Sequence, residues 1–309
     1  MARTLSTERV DRREVKVHHP RRAVRPRSVR NLAPQDLHDV AHRQRCERAP
    51  SHLGEHQRVS QPRVLRRLGD PLAQTPVFDR IAREGVVFRN TFCPVPSCSP
   101  TRSSLLTGRA AHQLADAASL WSKFDRGHRV FTDLLREGGY EVGMTGKGWG
   151  PGNYKDFGWT ENPAGTEHAS FEAFLRQRDA GRPFFFWLGN TDTARHRWRY
   201  DPAEWAGLDA AKLTVPPQFP DDPVTRSTLM AYYASIRVMD RAVGEDIARL
   251  EKLGLLEDTI VVYTSDNGWQ MPRGLANCYD TGTRVPFAVR WGRRLAAGQV
   301  REEFVSLTD

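Results

Sequence analysis

Apolar residues recur at helical spacing along one long stretch of this chain and crowd into short aromatic or β-branched runs elsewhere. Met230, Tyr233, Ile236, Met239, Val243, Ile247 and Leu250 share one helical face, which predicts a helix over about 227–253 stopped by Gly254. A shorter helix is expected from Pro76, with Thr75 as N-cap, Val77, Phe78 and Ile81 as its apolar face and Gly85 as its stop. Others are expected at 103–106 before Gly108, at 130–136, and at 168–178 with Phe171, Phe174 and Leu175 inward. Between them lie apolar runs at 86–88, 140–144, 184–188, 259–264 and 285–291, which read as buried strands. Strands alternating with helices predict an α/β fold: a mostly parallel sheet with helices on both faces.

The pattern fails before residue 69. Residues 1–70 contain none of the chain's aromatic side chains, hold six of its ten His, and carry 16 Arg and one Lys against eight acids. The other 239 residues balance 29 basic against 29 acidic side chains, so the net charge of +9 belongs entirely to the first segment. Such a composition builds no core of its own, so no strand is expected before Gly69. The expected organisation is a basic segment at 1–68, disordered or read from the wrong frame, followed by a truncated catalytic domain at 69–309. Arg without aromatic interleaving or a helical stripe is a poor specific nucleic-acid module. No apolar run reaches the roughly 18 residues a membrane helix needs. No secretory h-region follows Arg12–Arg13, which leaves the compartment open. Four Cys (Cys46, Cys93, Cys98, Cys278) make no disulfide framework, although Cys93 and Cys98 lie close enough in sequence to bridge.

Active sites in parallel α/β sheets gather beyond the carboxyl ends of strands. Three polar clusters qualify. Ser265–Asp266–Asn267–Gly268 follows the run at 259–264 and offers hard oxygens suited to Ca²⁺ or Mg²⁺. Taken alone, Asp-Asn-Gly is most often a turn. Thr145–Gly146–Lys147 follows the run at 140–144. The third cluster is C-S-P-T-R-S-S-L-L-T-G-R from Cys98, with a Cys at a helix start and Arg102 in its first turn, a setting that favours an anionic ligand.

This last run resembles the signature of the type I sulfatases of the alkaline-phosphatase-like superfamily, C-x-P-x-R followed by T-G, with Cys98, Pro100, Arg102, Thr107 and Gly108 in register. The resemblance implies that a formylglycine-generating enzyme oxidises Cys98 to formylglycine, whose hydrated aldehyde attacks sulfur. It implies that Asp266 and Asn267 ligate Ca²⁺ or Mg²⁺, and that Lys147, in G-K-G-W-G, contacts the sulfate. The D-P-H segment of many members corresponds to Asp192–Thr193–Ala194. His196, two places later, is the candidate leaving-group residue or a bystander. The T-G-K-x-W-G-P-G and P-R-G-x-A-N-x-Y-D-x-G-T-R runs point to the heparan N-sulfatase-like and related bacterial branch, with Asn277 and Arg284 as substrate contacts.

Departures accompany the match. Trp149 and Leu275 stand where many members carry His and Lys. The family's opening strand, ending in two metal-binding Asp, is expected to be missing, with Asp70 and Asp192 as the remaining candidate carboxylates. Another reading frame upstream of Gly69 is expected to encode that strand, and F-V-S-L-T-D at 304–309 is where the family passes into a C-terminal subdomain. The implied activity is hydrolysis of a sulfate ester or sulfamate on a sulfated small molecule or glycan. A phosphonate or phosphate ester hydrolase of the same superfamily, or an inactive remnant, is the alternative. Family members are usually periplasmic or secreted.

Overall fold

Phe184, Phe185, Phe186 and Trp187 stand in a row on one strand, and their side chains alternate between two apolar layers. A strand covered on both faces reads as an unbroken apolar run, because neither face meets water. The computed structural model describes the backbone of residues 51–56 together with residues 70 and 72–309. Expectations about the rest of the basic segment, and about Cys46, lie outside those residues.

The strands are β1 (Ser51–His56), β2 (Val86–Phe92), β3 (Glu141–Gly146), β4 (Thr166–Glu167), β5 (Phe184–Gly189), β6 (Thr259–Thr264), β7 (Arg284–Arg290) and β8 (Gln299–Ser306). They form one sheet in the order β4-β3-β5-β1-β6-β7-β2-β8. β7 runs antiparallel to β6 and β2, and the other pairings are parallel. The longer helices are α1 (Pro76–Glu84), α2 (Cys98–Thr107), α3 (Phe131–Glu137), α4 (Phe171–Gln177) and α5 (Pro223–Lys252), with a single further turn at Asp280–Thr283. Helices α1, α4 and α5 bury Phe78, Ile81, Phe171, Phe174, Ile236 and Met239 against Phe184, Phe186, Val261 and Tyr263. Leu106 of α2, with Phe131 and Leu135 of α3, packs on the other face against Val142, Met144, Phe185 and Trp187. Each such side chain contributes about 1.5–3 kcal/mol when fully buried. The predicted α/β architecture, a mostly parallel sheet with helices on both faces, is the one observed.

The expectation of no strand before Gly69 is corrected. Ser51–His56 forms β1 in the middle of the sheet, paired in parallel with both β5 and β6. Its sequence, SHLGEH, carries no strand signal, and two apolar neighbours supply the backbone partners that local propensity does not. β8 was equally invisible, because Arg301, Glu302 and Glu303 interrupt any alternation on this exposed edge strand.

Other shifts have local causes. α5 starts earlier than its apolar stripe, because Asp222 accepts a hydrogen bond from Thr225 N at 2.7 Å and Pro223 occupies the first turn. The Thr75 hydroxyl does not cap α1. That role falls to Asp240 of α5, fully buried, whose carboxylate accepts from Val77 N at 2.9 Å and Phe78 N at 3.0 Å. Burial pushes the Asp240 carboxyl up to about 7, against the lowering effect of those two amides.

Candidate active site

α2 begins at Cys98, before the position its few apolar residues suggest. Ser97 ahead of it is extended (φ −156°, ψ 147°). Pro100 falls in the first turn, where a missing N–H removes no helical hydrogen bond. Gly108 closes the helix at φ 63°, the left-handed conformation glycine adopts without strain. The helix is buried without being apolar: Ser99, Thr101, Arg102, Ser103 and Ser104 are all enclosed. Ser103 Oγ donates to Ser99 O at 2.9 Å and accepts from Trp149 Nε1 at 2.7 Å, while Ser99 Oγ donates to Pro151 O.

Cys98 and Arg102 are four residues apart and share a helix face. The Arg102 side chain is 1% exposed, and its Nε donates to Asp266 Oδ2 at 2.8 Å. Its Nη1 donates to the carbonyls of Lys147 and, at 2.6 Å, Gly148. The Trp187 ring lies 5.7 Å from the guanidinium. A buried guanidinium is tolerated only when paired and hydrogen-bonded. Here one side chain joins the loops that follow β2, β3 and β6.

At the end of β6, Ser265, Asp266 and Asn267 are fully buried. Ser265 Oγ donates to Asn267 O at 2.8 Å, and Asn267 Nδ2 donates to Gly268 O at 2.7 Å. These bonds commit the amide nitrogen, and among the described residues Asn267 Oδ1 has no hydrogen-bond partner. A buried carboxylate beside an orphaned amide oxygen suits a hard divalent cation. Among the described residues there is no group of three or more His, Cys, Asp or Glu placed to hold a metal ion. The pair therefore fits part of a coordination shell. Asp70 and Asp192 are engaged by other side chains and amides. Asp70 accepts from Tyr233 OH at 2.5 Å and from Leu72 N and Ala73 N, and Asp192 accepts from Asn190 Nδ2 at 3.0 Å and Arg199 Nη2 at 3.4 Å.

Lys147 follows β3 directly. Its N–H donates to Gly189 O at 2.9 Å, and its carbonyl accepts from Trp187 Nε1 at 3.1 Å as well as from Arg102. A Cβ at Gly189 would lie 2.1 Å from Lys147 O, so the close approach of the two strand ends requires glycine there. Cys93 and Cys98 are thiols rather than a disulfide pair. Burial, reinforced by the charge on Asp266, pushes the Cys93 thiol up to about 12, which marks it as a protonated packing residue.

The structure thus brings Cys98, Arg102, Lys147, Asp266 and Asn267 to one edge of the sheet. His196 lies on the exposed turn Arg195–Arg197 beyond β5, on the same edge but without a hydrogen bond to that group. Asn277 is exposed and donates to Leu275 O at 3.1 Å. The Arg284 guanidinium is turned to β2, donating to Arg89 O at 2.7 and 3.0 Å and to Asn90 Oδ1 at 2.9 Å. Trp149 is buried and stacked on Phe124 at 5.1 Å, and Ala194 is also buried, so packed apolar side chains fill both positions where the resemblance implies His. Sequence reasoning missed the bracing of Asp192 by Asn190 and Arg199, and the contact of Arg195 N with Gln270 Oε1 at 2.5 Å. No local signal marks either, since both depend on how two loops meet.

The family model described as Sulfatase matches residues 53–170 and 152–309, so the match begins inside β1, upstream of Gly69. The chain is 32% identical over 281 residues to human N-sulphoglucosamine sulphohydrolase, covering 76% of this chain and 54% of that protein. It is 24% identical over 290 residues to an ulvan-active sulfatase of Formosa agariphila, covering 78% and 47%. The chain spans about half the length of these relatives. Among solved structures it resembles a chain in complex with its substrate D-glucosamine-2-N,6-O-disulfate (TM-score 0.61, 18% identity, covering 85% and 75%). It also resembles the phosphonate monoester hydrolase of Agrobacterium radiobacter (TM-score 0.62, 17% identity, covering 84% and 72%). The match to the family's model over most of its length means that this chain belongs to the sulfatase family.

Proposed function

We propose that this chain supplies the catalytic core of a sulfuric ester hydrolase that cleaves a sulfate ester or sulfamate on a sugar. The observation that carries the reading is the Arg102–Asp266 pair beneath the helix that Cys98 opens. Cys98 is the residue to be oxidised by a formylglycine-generating enzyme, and the hydrated aldehyde supplies the nucleophile that attacks sulfur. Arg102 fixes the metal-side carboxylate, and Lys147 places an ammonium at the same strand-end cluster, where it offsets the charge of a bound sulfate. Asp266 and Asn267 would hold Ca²⁺ or Mg²⁺, which polarises the sulfate and stabilises charge on the attacking oxygen. His196 is the candidate of the β5 loop for moving a proton to the leaving group. Asn277 and Arg284 border the same sheet edge as substrate contacts. The 32% identity to a protein named for N-sulphoglucosamine hydrolysis favours an N- or O-sulfated sugar.

Two measurements test this reading. Mass spectrometry of the Cys98 peptide from a host that modifies other sulfatases is expected to find formylglycine, and an unmodified thiol there overturns the reading. The converted chain is expected to hydrolyse an aryl sulfate in preference to an aryl ester of phenylphosphonate, with Cys98→Ala inactive on both. The reverse preference favours the phosphonate ester hydrolase alternative.

A further inference from the structure

Residues 121–124 run beside residues 151–153, the continuation of the loop that Lys147 opens. Trp121 N donates to Pro151 O at 3.2 Å, Asn153 N to Ser122 O at 2.8 Å, and Phe124 N to Asn153 O at 3.0 Å. Pro151 O also accepts from Ser99 Oγ, and Ser99 adjoins Cys98 in the first turn of α2. One carbonyl oxygen thus joins the Trp121 backbone to the residue next to the candidate nucleophile. The approach is close, since a Cβ at Gly152 would lie 2.5 Å from Ser122 O.

At this place the chain holds an indole in water. Trp121 is 76% exposed and adopts φ 60°. The left-handed region is unfavourable for a bulky side chain, and such strain persists only where the surroundings enforce it. Here they do. Ser122 Oγ donates to Asp116 O and, at 2.8 Å, to Ser119 O. Phe124, fully buried, stacks on Trp149 at 5.1 Å and on Trp159 at 5.5 Å. Exposure of one aromatic side chain is ordinary by itself. Exposure on a strained and braced turn, hydrogen-bonded to the same oxygen as Ser99, points to a contact made outside the fold. An indole offers a flat apolar face on which another ring can lie.

We infer that Trp121 is a specificity-determining residue: its indole is the platform for the ring that carries the scissile sulfate, so that cyclic sulfates are taken in preference to acyclic ones. The inference rests on the sulfatase reading and adds to it a residue that lies outside every motif of the sequence. The test is calorimetric binding to the unconverted thiol chain, which leaves the ligands intact, of phenyl sulfate, glucose 6-sulfate, methyl sulfate and inorganic sulfate. At least one of the two ring sulfates is expected to bind about tenfold more tightly than methyl sulfate, and which one does so separates an aromatic leaving group from a sugar. Trp121→Gly is expected to cut that preference below threefold while leaving methyl sulfate and inorganic sulfate unchanged, and Trp121→Phe to keep most of it. The urea midpoint of Trp121→Gly is expected to hold or rise, because glycine takes φ 60° without strain. No ring preference in the parent chain, a preference surviving Trp121→Gly, its loss in Trp121→Phe, or a fall in inorganic sulfate binding or in the midpoint with Trp121→Gly overturns the assignment. Failure of the sulfatase reading shows separately, as no phenyl sulfate hydrolysis by the formylglycine form while the ring preference persists.

Discussion

Arg102 and Asp266 lie 164 positions apart in sequence and meet through a 2.8 Å Nε–Oδ2 hydrogen bond with side chains 1% and 0% exposed. Breaking a buried pair from one side leaves the other charge enclosed and uncompensated, at about 3–5 kcal/mol. Arg102→Ala is therefore expected to lower unfolding stability by about that much, read as a shift of the urea midpoint. Because the same guanidinium holds the carbonyls of Lys147 and Gly148, Arg102→Lys is expected to recover only part of the loss. A midpoint unchanged in Arg102→Ala would show that the pair contributes nothing to the folded state.

Cys98 is expected to behave differently. It is a small buried side chain at a helix start, so Cys98→Ala should change stability by roughly 1 kcal/mol or less while removing hydrolysis altogether. Pro100→Ala is expected to reduce the fraction of Cys98 converted to formylglycine, measured by peptide mass spectrometry. Full conversion in Pro100→Ala would mean the modifying enzyme does not read that position.

The metal site carries a third expectation. Ca²⁺ takes about 6–8 oxygens, and Asp266 with Asn267 supplies a minority of them, so Ca²⁺ is expected to bind weakly and aryl sulfate turnover to be slow. β1 ends at His56, paired with Thr264, and the resemblance implies two Asp directly after the family's opening strand. Gln57→Asp together with Arg58→Asp is expected to tighten Ca²⁺ binding at least tenfold by calorimetric titration. Micromolar Ca²⁺ binding by the unaltered chain, or no gain in the double variant, contradicts the expectation. Reading the nucleotide sequence upstream of the Gly69 codon in all three frames tests the related idea that an apolar strand ending in Asp-Asp is encoded there.

Asp240 gives the fold a pH dependence. Its folded carboxyl lies near 7, above the ordinary Asp value, so between about pH 4 and 7 the folded chain keeps a proton that the unfolded chain has released. Unfolding free energy from this group is thus fully present at the acid end of that window and falls as pH rises through it. Asp246, pushed by burial up to about 6, acts with the same sign. The urea midpoint is expected to be higher at pH 5 than at pH 7.5, with the difference reduced in Asp240→Asn. An equal slope in that variant would assign the dependence to other groups.

What the sequence revealed, and what it hid, follows from where each signal resides. Thr259–Thr264 was legible to the residue, because a β-branched run between a glycine turn and a polar cluster has few other readings. The α5 stripe was legible, but its start was not, since a cap and a proline rather than apolar residues define it. Cys98, Arg102 and Asp266 were legible through motif register, whereas the α2 boundary was not, because the helix is polar and buried. The Asp240 cap joins residues 163 positions apart and leaves no local trace. The bonds of Arg284 to Arg89 and Asn90 depend on a strand pairing that motif register does not report.

β1 sits between β5 and β6, and among the described residues it is the strand through which the two halves of the sheet pair. Adjacent strands lie about 4.8 Å apart, so this one strand holds its neighbours at roughly twice that separation. Lys147 rises from one half, and Cys98, Arg102 and Asp266 from the other. The width of the gap in which sulfate would sit is therefore set by the backbone of a six-residue segment that contributes no recognisable motif. Substitutions within 51–56 that preserve extended backbone should leave the gap unchanged, whereas a proline there would act as a spacer fault, altering the distance between the two halves while every identified side chain stays in place.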